Sequence, residues 1–122
     1  MRFALALMAA IVALGAAPGV ASEGFPSRLL ITADEWSLAL SRTKIAPGDS
    51  IVELYNRGED AHDVRIKRGG RSGYVSIPET GSEEGTRIET RFKGGKRYVL
   101  WCSLEGHREL GMEADLRVEK KR

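Results

Sequence analysis

Apolar and polar side chains alternate along most of this chain. The runs Leu29 to Ala33, Trp36 to Leu40 and Ser50 to Tyr55 carry the period of two that sends successive side chains to opposite faces of a sheet. Between the second and third lies Ala46-Pro47-Gly48-Asp49, a good type II turn because proline presets its backbone angle and glycine accepts the positive one that follows. No long helical period interrupts these runs. After a loop over Asn56 to Ala61, His62, Val64 and Ile66 share one strand face, which aims His62 at the interior. The glycine- and serine-rich stretch Gly69 to Gly85 reads as a long surface connection with one short strand around Tyr74, Val75 and Ile77. Ile88, Thr90 and Phe92 then alternate, and Lys93-Gly94-Gly95-Lys96 predicts a hairpin into Tyr98 to Cys102. Ala114, Leu116 and Val118 close the series. Seven or eight short strands separated by turn signals imply an all-β protein, a two-sheet Greek-key sandwich.

The first residues break the pattern. Arg2 precedes an unbroken apolar run from Phe3 to Ala17, and Gly19-Val20-Ala21 supplies the small residues at which a leader is cut. Residues 1–21 are therefore expected to be a secretory signal peptide, too short in its apolar part for a membrane span, with Pro18 and Gly19 stopping any continuing helix. Residues 22–122 then form a single domain, long enough to bury a core without several disulfides. The leader takes Arg2 and no acid, so the mature chain carries one basic side chain more than its 17 acids. That balance predicts neither nucleic-acid binding nor attachment to a membrane once the leader is gone. Export places the chain in a periplasmic or extracellular compartment, where a cysteine is normally paired, yet Cys102 is the sole cysteine.

A lone thiol in an oxidising compartment is accounted for by burial as an inert apolar side chain or by coordination to a metal. The stretch Tyr98 to Met112, YVLWCSLEGHRELGM, favours the metal. Alternation of Tyr98, Leu100 and Cys102 delivers the thiol inward at a strand end, the loop with Gly106 returns His107 towards it, and Arg108 to Gly111 bring Met112 back from a third direction. Thiolate and thioether beside imidazole suit copper, above all a trigonal site of two histidines and a cysteine with a weak axial methionine. Such a site needs a second histidine, and His62 is the only other one. Taken alone, His62 would be a hydrogen-bonded core residue, as Trp36 is expected to be.

With these residues in place the chain resembles the cupredoxins, the blue-copper family of plastocyanin and azurin, over nearly the whole mature sequence. The Cys102-x4-His107 interval is similar to azurin, and the His107-x4-Met112 interval with Gly111 before the methionine is similar to plastocyanin. The resemblance implies one type 1 copper, with Cys102 as thiolate and electronic conduit, His62 and His107 as equatorial ligands and Met112 as axial ligand. It also implies a monomeric carrier of single electrons that meets redox protein partners at His107, with Leu104 and Leu110 around it and Trp101 as a second approach. The bland expectation for Trp101 is packing against Tyr74 to Ile77. Two positions depart from the family: Glu105 stands where proline is frequent, and Asp63 where asparagine or a small hydroxyl residue is usual. The alternative function is copper storage or delivery without redox cycling. With only His62 and His107 available, no second, catalytic copper is expected, and the chain is not expected to be an enzyme.

Overall fold

A computed structural model describes Gly15 and residues 24–121. The leader expected over residues 1–21 lies outside the described residues, Gly15 excepted. Among the described residues no helix is long and apolar enough to cross a membrane.

Among the described residues nine strands form two sheets: β1 (Ser27–Asp34), β2 (Ser37–Leu40), β3 (Lys44–Ile45), β4 (Gly48–Asn56), β5 (His62–Arg68), β6 (Tyr74–Thr80), β7 (Gly85–Phe92), β8 (Arg97–Trp101) and β9 (Glu113–Val118), with a one-turn helix α1 (His107–Leu110) before the last. One sheet has the order β2-β1-β4-β7 and the other β3-β9-β8-β5-β6. The pairs β1 with β4 and β3 with β9 are parallel, and the remaining pairs are antiparallel. The alternation read from the sequence is the alternation of burial. Leu29, Ile31, Ala33, Val52 and Leu54 of the first sheet face Val64, Ile66, Ile77, Leu100, Leu116 and Val118 of the second. Each fully buried aliphatic side chain in this layer contributes roughly 1.5–3 kcal/mol relative to exposure. Gly48, at the expected turn, has φ 105, a conformation natural to glycine.

Two expectations are corrected. The stretch 69–85 contains a full strand, β6, which pairs with β5 from Tyr74 opposite Lys67 to Thr80 opposite His62. Its glycines lie only at the two ends, Gly69 to Gly73 and Gly81 to Gly85, and they obscure the strand between them, which holds the single serine Ser76. Nor is 93–96 a hairpin. β7 belongs to one sheet and β8 to the other, so Lys93 to Lys96 cross the sandwich, with the Gly95 N–H donating to the carbonyls of Val118 and Glu119.

The end of the sandwich where β4 stops and β5 starts carries the candidate chemistry. Asn56, fully buried, ties this end together. Its side-chain amide donates to the carbonyls of Asp60 (2.7 Å) and Thr80 (3.0 Å), and its Oδ1 accepts from the Gly58 N–H (2.8 Å). The backbone of Arg57 donates to Ala33, which brings the β1–β2 turn against the same loop. The register shift between His62 and Val64 in the β5–β6 ladder puts the extra residue on β6, between Ile77 and Thr80, so that Thr80 is buried opposite His62, which the unbroken alternation of β5 faces inward.

Candidate metal centre

The chain brings His62, Cys102 and His107 together. His62 opens β5 and is fully buried, Cys102 follows the last residue of β8 and is fully buried, and His107 begins α1, half-buried. The Nδ1 atoms of the two histidines are 3.2 Å apart, and the Cys102 Sγ lies 3.5 Å from Nδ1 of His107 and 3.9 Å from Nδ1 of His62. A point equidistant from these three atoms is about 2.1 Å from each, within the roughly 2.0–2.3 Å of nitrogen and sulfur bonds to a transition metal. The donor triangle is thus the right size for one ion, and its softness fits copper.

Met112 is fully buried. Its carbonyl accepts from the Cys102 N–H (3.1 Å) and its N–H donates to the His107 carbonyl (3.2 Å), so the backbone holds residues 102, 107 and 112 as one closed loop. Two glycines make that loop. Gly106 enters α1 at φ 78, and Gly111 leaves it at φ 129 with its α-carbon under the Trp36 carbonyl, where an added Cβ would stand 2.8 Å from the oxygen. Both values lie in the region that side-chain-bearing residues rarely adopt.

Burial pushes the Cys102 thiol above its ordinary value of 9.0, against backbone hydrogen bonds from Asp63 and Leu104 that favour the thiolate, while the Asp63 charge adds to the upward shift. Asp63 therefore has two roles that the sequence left open. Its backbone favours the thiolate, and its carboxylate accepts from Ser103, at Oδ1 from the backbone N–H (2.6 Å) and at Oδ2 from the hydroxyl. That pair of bonds fastens the β5 segment bearing His62 to the loop bearing Cys102. Glu105 is exposed and forms no ion pair among those described.

Two residues at the centre had no signal in the sequence. Glu35, in the turn between β1 and β2, places Oε1 3.1 Å from Nε2 of His62 and accepts the Asp60 N–H at 2.7 Å with the same oxygen. The Asp60 N–H lowers the Glu35 carboxyl below 4.5, partial desolvation opposes this, and His62 lowers it further. Trp36, expected as a core residue, is half-buried and packs against the core, but its ring also meets both imidazoles edge-on, at centroid distances of 4.7 Å from His107 and 6.2 Å from His62. No spacing rule links residues 35 and 36 to 62 or 107; only the parallel pairing of β1 with β4 brings them there. Trp101 faces outward as expected and follows the bland reading. It is half-buried between Tyr74, 6.3 Å away, and the Arg108 guanidinium, 4.7 Å above its ring, with Arg108 itself anchored to Glu113.

No protein-family model and no curated protein sequence matches this chain. Solved structures do match. Reduced auracyanin from Roseiflexus castenholzii is 18% identical with a TM-score of 0.64 over 78% of this chain and 98% of that one. Auracyanin A, a blue copper protein from Chloroflexus aurantiacus, is 13% identical with a TM-score of 0.62 over 78% of this chain and all (100%) of its own. A reduced variant of amicyanin is 18% identical with a TM-score of 0.55 over 80% of this chain and 87% of its own. A multicopper oxidase also matches, with a TM-score of 0.56, but the likeness spans only 44% of that chain. Two mixed sheets that close over a buried core, and that gather imidazole, thiol and imidazole at one end, identify the architecture of this chain as the cupredoxin fold.

Proposed function

We propose that this protein carries single electrons on one copper ion held by His62, Cys102, His107 and Met112. The observation that carries the reading is the donor triangle, two imidazole nitrogens and one thiol converging on a point at bonding distance from all three. Bound copper supplies a Cu(II)/Cu(I) couple, and a soft thiolate and thioether beside imidazole accommodate both states. The protein's part is to keep the donors where they are. Asp63 and Ser103 lock the two ligand-bearing segments, the backbone bonds among 102, 107 and 112 close the loop, and Cys102 gives up its proton when the metal enters. The auracyanins and amicyanin supply support from the fold, and one of them is described as a blue copper protein.

In the same reading residues 1–21 direct export and are removed, and the mature monomer works in the periplasm or outside the cell. Its redox partner docks over His107, the half-buried ligand, with Leu110 (57% exposed) as the apolar contact and Leu104 packed beneath. Absorption and paramagnetic-resonance spectra of the copper-loaded, oxidised mature protein test the assignment. An intense visible sulfur-to-copper band with narrow copper hyperfine splitting is expected, lost in Cys102→Ser. A colourless Cu(II) complex at full occupancy would overturn it, and loss of Cu(I) to a modest chelator without a reversible couple would favour delivery over electron transfer.

A further inference from the structure

We infer that Glu35 is the residue that presents His62 to the metal, by holding the imidazole proton on Nε2 so that Nδ1 offers its lone pair, and that Gly58 exists to make room for the Glu35 carboxylate. The inference rests on His62 being a ligand.

A neutral imidazole carries one proton, and the partner of one nitrogen decides the state of the other. His62 is fully buried, so water does not make this choice. Its Nδ1 faces Cys102 and His107, and its Nε2 faces Glu35 Oε1 at 3.1 Å. A carboxylate oxygen only accepts, which fixes the proton on Nε2 and leaves Nδ1 free towards the donor triangle. A carboxylate behind a ligating imidazole also raises the basicity of the ligand.

The carboxylate is itself positioned. Oε1 accepts the Asp60 N–H at 2.7 Å, which ties the β1–β2 turn to the loop that leads into His62. Gly58, buried in that loop, lies against the Glu35 side chain, and a Cβ built on it would overlap both carboxylate oxygens and stand 2.6 Å from their carbon. Any side chain at 58 pushes the carboxylate off His62. Gly58 does not adopt a positive φ, so conformational freedom is not the reason for glycine here; the approach of Glu35 is.

Two measurements test this. Nitrogen-15 spectra of the metal-free protein should show His62 protonated at Nε2 and unprotonated at Nδ1, and Glu35→Ala should mix the two tautomers. Zinc competition titrations, which involve no redox chemistry, should show affinity falling about 10–100-fold in Glu35→Ala. Gly58→Ala should lower it in the same direction, whereas Glu35→Gln, whose amide oxygen still accepts, should restore most of it. In the copper form Glu35→Gln should raise the reduction potential, since a negative charge behind the ligand is gone. A His62 proton on Nδ1 in the wild type, or wild-type zinc affinity in both Glu35→Ala and Gly58→Ala, would overturn the inference. Should Glu35→Ala fail to fold, the wild-type tautomer and the Gly58→Ala affinity decide it. Failure of the ligand reading looks different: His62→Ala would then bind zinc as tightly as the wild type.

Discussion

Replacing Asp63 tests whether its carboxylate is the clasp between the two ligand-bearing segments. Asp63→Ala removes the acceptor of the Ser103 N–H (2.6 Å) and of the Ser103 hydroxyl, both in a half-buried setting. Hydrogen bonds to a charged group contribute about 1.5–3 kcal/mol each. Partial exposure and the freed hydroxyl's ability to find water reduce the sum, so a loss of about 2–4 kcal/mol is expected, out of a typical total of about 5–15. For a domain of this size that is a fall in melting temperature of roughly 10–20 °C. Asp63→Asn should behave otherwise. Its amide oxygen accepts the Ser103 N–H, its NH2 donates to the Ser103 hydroxyl, and the loss should stay below about 1 kcal/mol. Ser103→Ala, which keeps the backbone bond, should fall between. Urea unfolding of the metal-free mature protein, with the slope checked for constancy, measures all three. Asp63→Ala within about 0.5 kcal/mol of wild type, or Asp63→Asn as damaging as Asp63→Ala, would refute the clasp.

Gly111→Ala should destabilise the metal-free protein by about 1–3 kcal/mol in the same unfolding assay, because it combines a positive φ with a collision against the Trp36 carbonyl. The folded Cys102 thiol lies above its ordinary 9.0, so the native state holds its proton where the unfolded chain releases it. Stability of the metal-free protein is therefore fully present below pH 9 and declines as pH rises from there towards the folded value, which a pH series of thermal melts would show. For the same reason zinc affinity, measured by competition between pH 7 and 8, should gain about tenfold per pH unit from this thiol alone. If partners dock over α1, Leu110→Glu should slow electron exchange with the partner more than Trp101→Ala does, provided both variants keep their visible band and potential; the reverse order would move the docking site to the Trp101 face.

Much of the architecture could be read from alternation because one face of each sheet is buried, and a buried face writes itself into every second residue. His62, Val64 and Ile66 were legible in this way, as were Leu116 and Val118. Which sheet a strand joins is a different kind of information. Lys93 to Lys96 have the length and glycines of a hairpin, and nothing local distinguishes a turn that pairs its strands from one that crosses the sandwich. The meeting of His62, Cys102 and His107 was legible through the limited supply of histidine and cysteine, since residues so few leave little choice of partner. Glu35 had no such scarcity to mark it, being one of many acidic side chains, and it acquires meaning only through the pairing of β1 with β4. Asp63 is legible as a departure from asparagine or a small hydroxyl residue, yet its bond to Ser103 depends on a loop conformation that spacing does not encode.

The open margins of the two sheets set how readily another chain could add a strand to either of them. A sandwich, unlike a closed barrel, leaves unpaired backbone at four margins, each a template for strand addition by another chain. Here β3 is two residues long and β2 four, too short to template much. β6 is longer, but Pro78 withholds a donor and the register shift opposite His62 twists that end away. β7 offers the longest free margin, and along it Arg87, Glu89 and Arg91 are all exposed, so an in-register copy would set like charges side by side. The extra β6 residue that turns Thr80 inward opposite His62 thus also roughens that margin as a template for strand addition, and deleting it would leave a flatter and stickier edge.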